Sequence, residues 1–231
     1  MIPLKDNIPS SRTPFITIGL IVINILVYLN QLMLPPRAAV RFVYLYGLIP
    51  VEISQGQLLV PHPVPLYGTI LTSMFVHGGL FHLAGNMLYL WIFGDNVEDR
   101  LGRFRFLLFY LLSGAAAAAA QILSDPHSQI PMVGASGAIS GVLGAYLLLY
   151  PHARVVTLVF FGWFVRVIEI RAVFVLGFWI LVQLASGLLT WGAQVGGVAW
   201  FAHIGGFVAG LVMVIPLRRR EAQSEREGRA L

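Results

Sequence analysis

The chain has no cysteine. That excludes a disulfide framework and a thiolate metal site, and it leaves the redox compartment open. Charge is scarce too: Asp, Glu, Lys and Arg make up 11% of 231 residues, against 58% hydrophobic residues. A soluble domain carries about 25% charged residues. So few charges cannot coat a water-facing surface of this size, and lipid must solvate much of it. The net charge of +5 is not arranged as a nucleic-acid stripe, and no nucleic-acid partner is expected. The basic residues cluster between and beyond apolar runs. The opening stretch, Met1 to Pro14, lacks the cleavage pattern of a signal peptide, so no removable targeting segment is expected.

A helix needs about 20 mostly apolar residues to cross a hydrocarbon core of about 30 Å. Six runs qualify as candidates: Phe15–Leu34, Leu80–Phe93 with an extension through Glu98, Phe104–Leu123, Val133–Tyr150, Ala172–Trp191 and Gly196–Leu217. The expected fold is therefore all-α, a polytopic bundle of six transmembrane helices. Its first loop is long and membrane-associated: Ala38–Pro50 reads as an interfacial segment and Gln55–Thr72 as further loop. Val155–Val165 is apolar but bracketed by Arg154 and Arg166, so it reads as a membrane-hugging loop. His62, His127 and His152 read as loop or surface histidines. The chain divides into a cytoplasmic segment (residues 1–14), the six-helix domain (15–217) and a basic tail (218–231) expected to be disordered.

Arginine and lysine orient the spans. Lys5, Arg12, Arg100, Arg103, Arg105, Arg154, Arg166, Arg171 and the five arginines after Leu217 fall on one side, and Arg37 and Arg41 on the other. Both termini are expected to be cytoplasmic. With no targeting segment read, a prokaryotic plasma membrane is the expected location.

Polar side chains at membrane depth are costly, which makes them functional candidates. His82 and Asn86 lie on span two, Ser136 and Ser140 on span four, and His203 on span six. At a rise of about 1.5 Å per residue, His82 and Asn86 lie roughly 20 and 14 Å above the cytoplasmic ends, and Ser136 and His203 both roughly 22 Å above. These groups share one level. Gly137, Gly141 and Gly144 follow Ser136 at helical spacing, and Gly206 and Gly210 follow His203. Facing glycines let backbones approach closely, so spans four and six are expected to be neighbours.

A serine hydroxyl needs a base to become a nucleophile, and a histidine suits that role. No carboxylate lies in span four or six near the required depth, so a Ser–His dyad is the economical reading. The Ser136 amide, in the first turn of its helix, is a free donor for an oxyanion, and His82 and Asn86 can add side-chain donors. A metal site built from His77, His82 and His203 is disfavoured by spacing and by the missing carboxylate. A transporter would need a continuous polar path, which the sequence does not offer. No cofactor is called for.

Three strings carry a family resemblance: His77-Gly-Gly-Leu-Phe-His82-Leu-Ala-Gly-Asn86, Gly134-Ala-Ser136-Gly137, and Ala202-His203-Ile-Gly-Gly206 with Gly210. In this order, on spans two, four and six, they resemble the rhomboid family of intramembrane serine proteases. The resemblance covers Phe15 to Leu217. It implies Ser136 as nucleophile, His203 as base, and His82, Asn86 and the Ser136 amide as oxyanion donors. It implies Gly134 in the active-site loop, His77 as a structural histidine, and Glu98-Asp-Arg100-Leu-Gly102 as a charged structural turn. The implied substrates are membrane proteins with a transmembrane segment. A catalytically silent relative that binds membrane clients would be expected to lose the serine or the histidine. Two positions depart from the family. Tyr67-Gly68-Thr69 stands where members often carry a Trp-Arg pair, and Ser140 stands where some stack a tyrosine on the histidine.

Overall fold

A computed structural model describes residues 1–161, 164–191 and 197–228. Helices occupy all six expected positions: α1 (Phe15–Met33), α5 (Leu80–Leu101), α6 (Arg103–Ser124), α7 (Ser136–Leu149), α8 (Ala172–Leu189) and α9 (Trp200–Gly228). The first loop holds α2 (Pro36–Tyr46), α3 (Pro50–Gln55), a 3-10 turn at Leu66–Gly68 and α4 (Thr69–Thr72). Among the described residues, three helices, α1, α6 and α8, are long and apolar enough to cross a membrane by length and composition. Ser136–Leu149 and Trp200–Pro216 are shorter apolar helices. Helix α5 is 22 residues long, but Asp95, Glu98, Asp99 and Arg100 crowd its last two turns.

The bundle is layered around α7, whose residues Gly137 to Tyr146 are all buried. Helices α7 and α9 meet backbone to backbone at their glycines. A Cβ on Gly206 would land on the Gly137 carbonyl, and one on Gly210 on the Gly141 carbonyl. Helix α6 closes the third side. There Ala117 lies against Gly137, and Ser113 against Gly141. The small-residue run of α6 thus lets three backbones converge.

One correction to the all-α expectation follows. The chain holds a three-stranded antiparallel sheet in the order β1-β2-β3, formed by β1 (Ile2–Asp6), β2 (Arg154–Phe161) and β3 (Phe164–Arg171). The stretch expected to be a membrane-hugging loop is therefore a β-hairpin, paired from Arg154↔Arg171 to Phe161↔Phe164. Its β-branched and aromatic residues favour a pleated strand. The N-terminal segment completes the sheet, with Ile2 opposite Leu158 and Asp6 opposite Val155. Asp6 also accepts bonds from Tyr146 Oη (2.5 Å) and Asn96 Nδ2 (2.9 Å). Burial pushes its carboxyl above the ordinary value while the Tyr146 bond pulls the other way. Helix α9 runs to Gly228. Residues 229–231 lie outside the described residues.

Glu98 explains the charged turn expected at residues 98–102, which forms the end of α5. Its carboxylate accepts the amides of Ile16 (3.0 Å) and Thr17 (2.7 Å) and the Thr17 hydroxyl (2.8 Å). These are first-turn donors of α1 with no helical partner, and a negative charge suits that end of the helix. Gly102, at φ 77°, then turns the chain into α6 in a conformation that side chains disfavour.

His62 lies in the first loop, as expected, but its side chain is not at the surface. Its side chain is buried against Glu52 (Nε2 to Oε2, 2.6 Å), and its Nδ1 lies 2.7 Å from the Leu45 carbonyl. A carbonyl only accepts, so Nδ1 carries a proton. The other Glu52 oxygen accepts the amides of Leu59 (2.6 Å) and Val60 (3.1 Å). The first loop lacks the Trp-Arg pair, and this buried Glu52–His62 cluster ties it together instead.

Candidate active site

Ser136 begins α7 and so has no intrahelical partner for its amide. The loop before it is held in place by the first loop. Met132 and Leu48 exchange backbone bonds (2.7 and 3.1 Å), and the Gly134 amide donates to the Ser73 carbonyl (2.8 Å). Gly134 sits at φ 117°. A side chain there would be strained, and its Cβ would fall 2.6 Å from His82 Nε2 and 3.5 Å from Asn86 Nδ2. Glycine is what lets this loop lie against the α5 polar pair.

His203 enters from the first turn of α9. Its Nε2 lies 2.7 Å from Ser136 Oγ, so the two residues matched by depth in the sequence are in direct contact. On its other edge, Nδ1 lies 2.7 Å from Gln183 Oε1 of α8. Trp179, one turn earlier on α8, lies across the ring at 5.8 Å between centroids, and Trp200 meets it edge-on at 6.3 Å. The missing tyrosine is thus replaced by aromatic cover from α8 and α9. Ser140 does not touch the histidine. It is fully buried, and its hydroxyl donates to the Ser136 carbonyl one turn back (2.6 Å). Gln183 and Trp179 were missed in the sequence. The signal was available: Gln183 is a lone amide in an otherwise apolar span, the same costly burial that singled out the other candidates.

The α5 pair faces the same space. The Gly78 amide donates to His82 Nδ1 (3.4 Å), so that nitrogen carries no proton and Nε2–H is the free donor. His77 packs edge-on against the His82 ring at 5.1 Å. Its backbone is clamped by Gln31, which accepts the His77 amide (3.1 Å) and donates to its carbonyl (3.0 Å). Asn86 Nδ2 is buried and has no hydrogen-bond partner. A buried donor without a partner is a standing cost, and here it points to a ligand atom as its partner.

Ser136, His203, His82, Asn86 and Gly134 share one cavity of about 890 Å³. It reaches Asp125 and Ile130 in the loop before α7 and Trp191 and Val198 between α8 and α9. Among the described residues, no group of three or more His, Cys, Asp or Glu could hold a metal ion. The arrangement offers a hydroxyl with a base on one side and unpaired N–H donors on the other, which is the equipment of acyl transfer.

The Rhomboid domain family model matches residues 66–220, more than half of the chain, with Ser136, His203, His82, Asn86 and Gly134 inside the match. The mitochondrial RHOMBOID-like protein 6 of Arabidopsis thaliana is 36% identical over 145 residues, 62% of this chain and 41% of that protein. The rhomboid protease GluP of Bacillus subtilis is 36% identical over 141 residues, 61% of this chain and 24% of its own length. The chloroplastic Rhomboid-like protein 11 of Arabidopsis thaliana is 28% identical over 218 residues, 91% of this chain and 68% of that protein. The chain spans less than half the length of the first two. Relatives named for mitochondria and chloroplasts, beside a bacterial one, give no support to the expected prokaryotic plasma membrane. With its apolar helices the chain is a membrane protein, and it belongs to the rhomboid family.

Proposed function

We propose that the chain is a serine endopeptidase that cleaves transmembrane segments of membrane proteins within the bilayer. The observation that carries the reading is the 2.7 Å contact between Ser136 Oγ and His203 Nε2 beside the unpartnered Asn86 Nδ2. Ser136 Oγ attacks the scissile carbonyl carbon and its proton passes to His203 Nε2. The carbonyl oxygen becomes an oxyanion held by the Ser136 amide, His82 Nε2–H and Asn86 Nδ2. Collapse breaks the C–N bond, and His203 returns the proton to the leaving amine. Water, deprotonated by His203, then attacks the acyl ester and frees Ser136. No cofactor enters the cycle.

Six helices cross the bilayer in this reading, with both termini cytoplasmic and the catalytic level near the outer face. The cavity's reach to the loop before α7 supplies water. A substrate helix enters sideways from lipid and unwinds at small or helix-breaking residues before attack. The test is purified protein reconstituted with a labelled single-span substrate. Cleavage is expected from the wild-type chain and not from Ser136→Ala. Undiminished cleavage by Ser136→Ala overturns the assignment.

A further inference from the structure

The histidine has a second hydrogen-bond partner besides Ser136, one that the family motifs do not include. Gln183 lies at mid-length on α8, in a run otherwise composed of apolar and small residues from Ala172 to Leu189. It is 6% exposed. Burying an amide in such a span is costly unless its groups are satisfied, and both ends of this one are. The Gln183 amide nitrogen donates to the Trp179 carbonyl one turn back (3.4 Å). That carbonyl can only accept, so the nitrogen is turned toward it and the oxygen toward His203.

The polarity of the whole chain of bonds follows. Gln183 Oε1 is an acceptor, so His203 Nδ1 must carry the proton it shares with it at 2.7 Å. A neutral imidazole has one N–H. Nε2 is then the bare nitrogen, and it is the one that meets Ser136 Oγ. Turned the other way, the amide would put its N–H on Nδ1 and drive the proton to Nε2, where the ring could not accept from serine. Among the described residues, the ionisable side chain facing this network from a neighbouring helix is His82 of α5, and its imidazole offers no carboxylate to do the same task.

We infer that Gln183 is a positioning residue. Its carbonyl oxygen holds His203 in the Nδ1–H tautomer and orients the ring, the task a carboxylate performs in a Ser–His–Asp triad. A neutral amide does this inside an apolar span without the cost of a buried charge. Trp179 contributes both the carbonyl that fixes the amide and the ring that lies across His203. The inference rests on the proposal that Ser136 is the nucleophile.

The test is the labelling of Ser136 by a fluorophosphonate probe, with maximal rate and probe affinity measured separately in Gln183→Met and Gln183→Glu. Methionine keeps the length and apolar fit of the side chain but lacks the acceptor. Glutamate keeps the acceptor and fits the apolar surroundings less well. The maximal rate is expected to fall roughly 10- to 100-fold in Gln183→Met, less than the about 10⁴-fold that follows replacement of a triad carboxylate. Probe affinity and Tm are expected to stay near wild type. Gln183→Glu is expected to recover most of the rate. A Gln183→Met chain as fast as wild type overturns the inference, and so does a Gln183→Glu chain as slow as Gln183→Met. In either case labelling of wild-type Ser136 leaves the nucleophile standing. A wild-type chain that does not label overturns both readings.

Discussion

Asn86 keeps a donor buried and unpaired. A free donor of that kind costs a folded protein about 1–3 kcal/mol, which is tolerable where an oxyanion later takes the bond. Asn86→Ala is therefore expected to lower the cleavage rate by about 10²- to 10³-fold while Tm stays level or rises. Kinetics on a reconstituted substrate and thermal unfolding in detergent check the two halves. His203 sets a second expectation. Only the neutral ring can take the serine proton, so cleavage should fall as the ring protonates. A pH–rate profile should fall toward acid pH, and a rate that does not fall on acidification while the chain stays folded would argue against histidine as base. The residues of the site were largely legible because buried polar groups are rare in apolar runs, and Ser136, His203, His82 and Asn86 could be compared by depth. Gln183 was passed over although the same argument applies to it. The tautomers of His82 and His203 could not be read from sequence at all, because each is set by a partner brought from elsewhere: Gly78 for one and Gln183 for the other.

Among the elements, α7 and α9 depend on glycine at their contact. A Cβ at Gly210 would fall on the Gly141 backbone, whereas one at Gly177 on α8 would meet nothing within 4 Å. Gly210→Ala is expected to cost about 1–3 kcal/mol by forcing the helices apart, with a lower Tm and a loss of cleavage as Ser136 and His203 separate. Gly177→Ala is expected to leave both unchanged or to stabilise slightly, since alanine is the better helix former. Thermal unfolding and cleavage of the two variants side by side measure the difference. The neighbouring of these helices was legible from glycine spacing. The β2–β3 hairpin was not, because a test for membrane spans set Val155–Val165 aside by its flanking arginines. The β-branched content of Val155-Val156 and Val165-Arg166-Val167-Ile168 pointed to strands, and the pairing with the N-terminal β1 needed the tertiary structure.

Across the whole molecule, the proposed topology puts the sheet and the chain termini on the cytoplasmic side and the loop before α7 on the other. The lack of cysteine makes this directly measurable, since an introduced thiol has no background. Gln129 is exposed in the loop before α7, and Val167 is 57% exposed on β3. A membrane-impermeant maleimide is expected to label Gln129→Cys from outside and Val167→Cys only after permeabilisation. Reversed labelling overturns the topology. Helix positions were legible because apolar run length is a strong signal. The first loop was not, since its order comes from long-range bonds such as Leu45–His62 and Leu48–Met132 that no local pattern encodes.

The most direct test of the central claim is mass-spectrometric mapping of the site that a fluorophosphonate labels in the purified protein. The account predicts modification at Ser136, abolished by Ser136→Ala and collapsed by His203→Ala. Labelling at another serine, or labelling of Ser136 undiminished by His203→Ala, would contradict it.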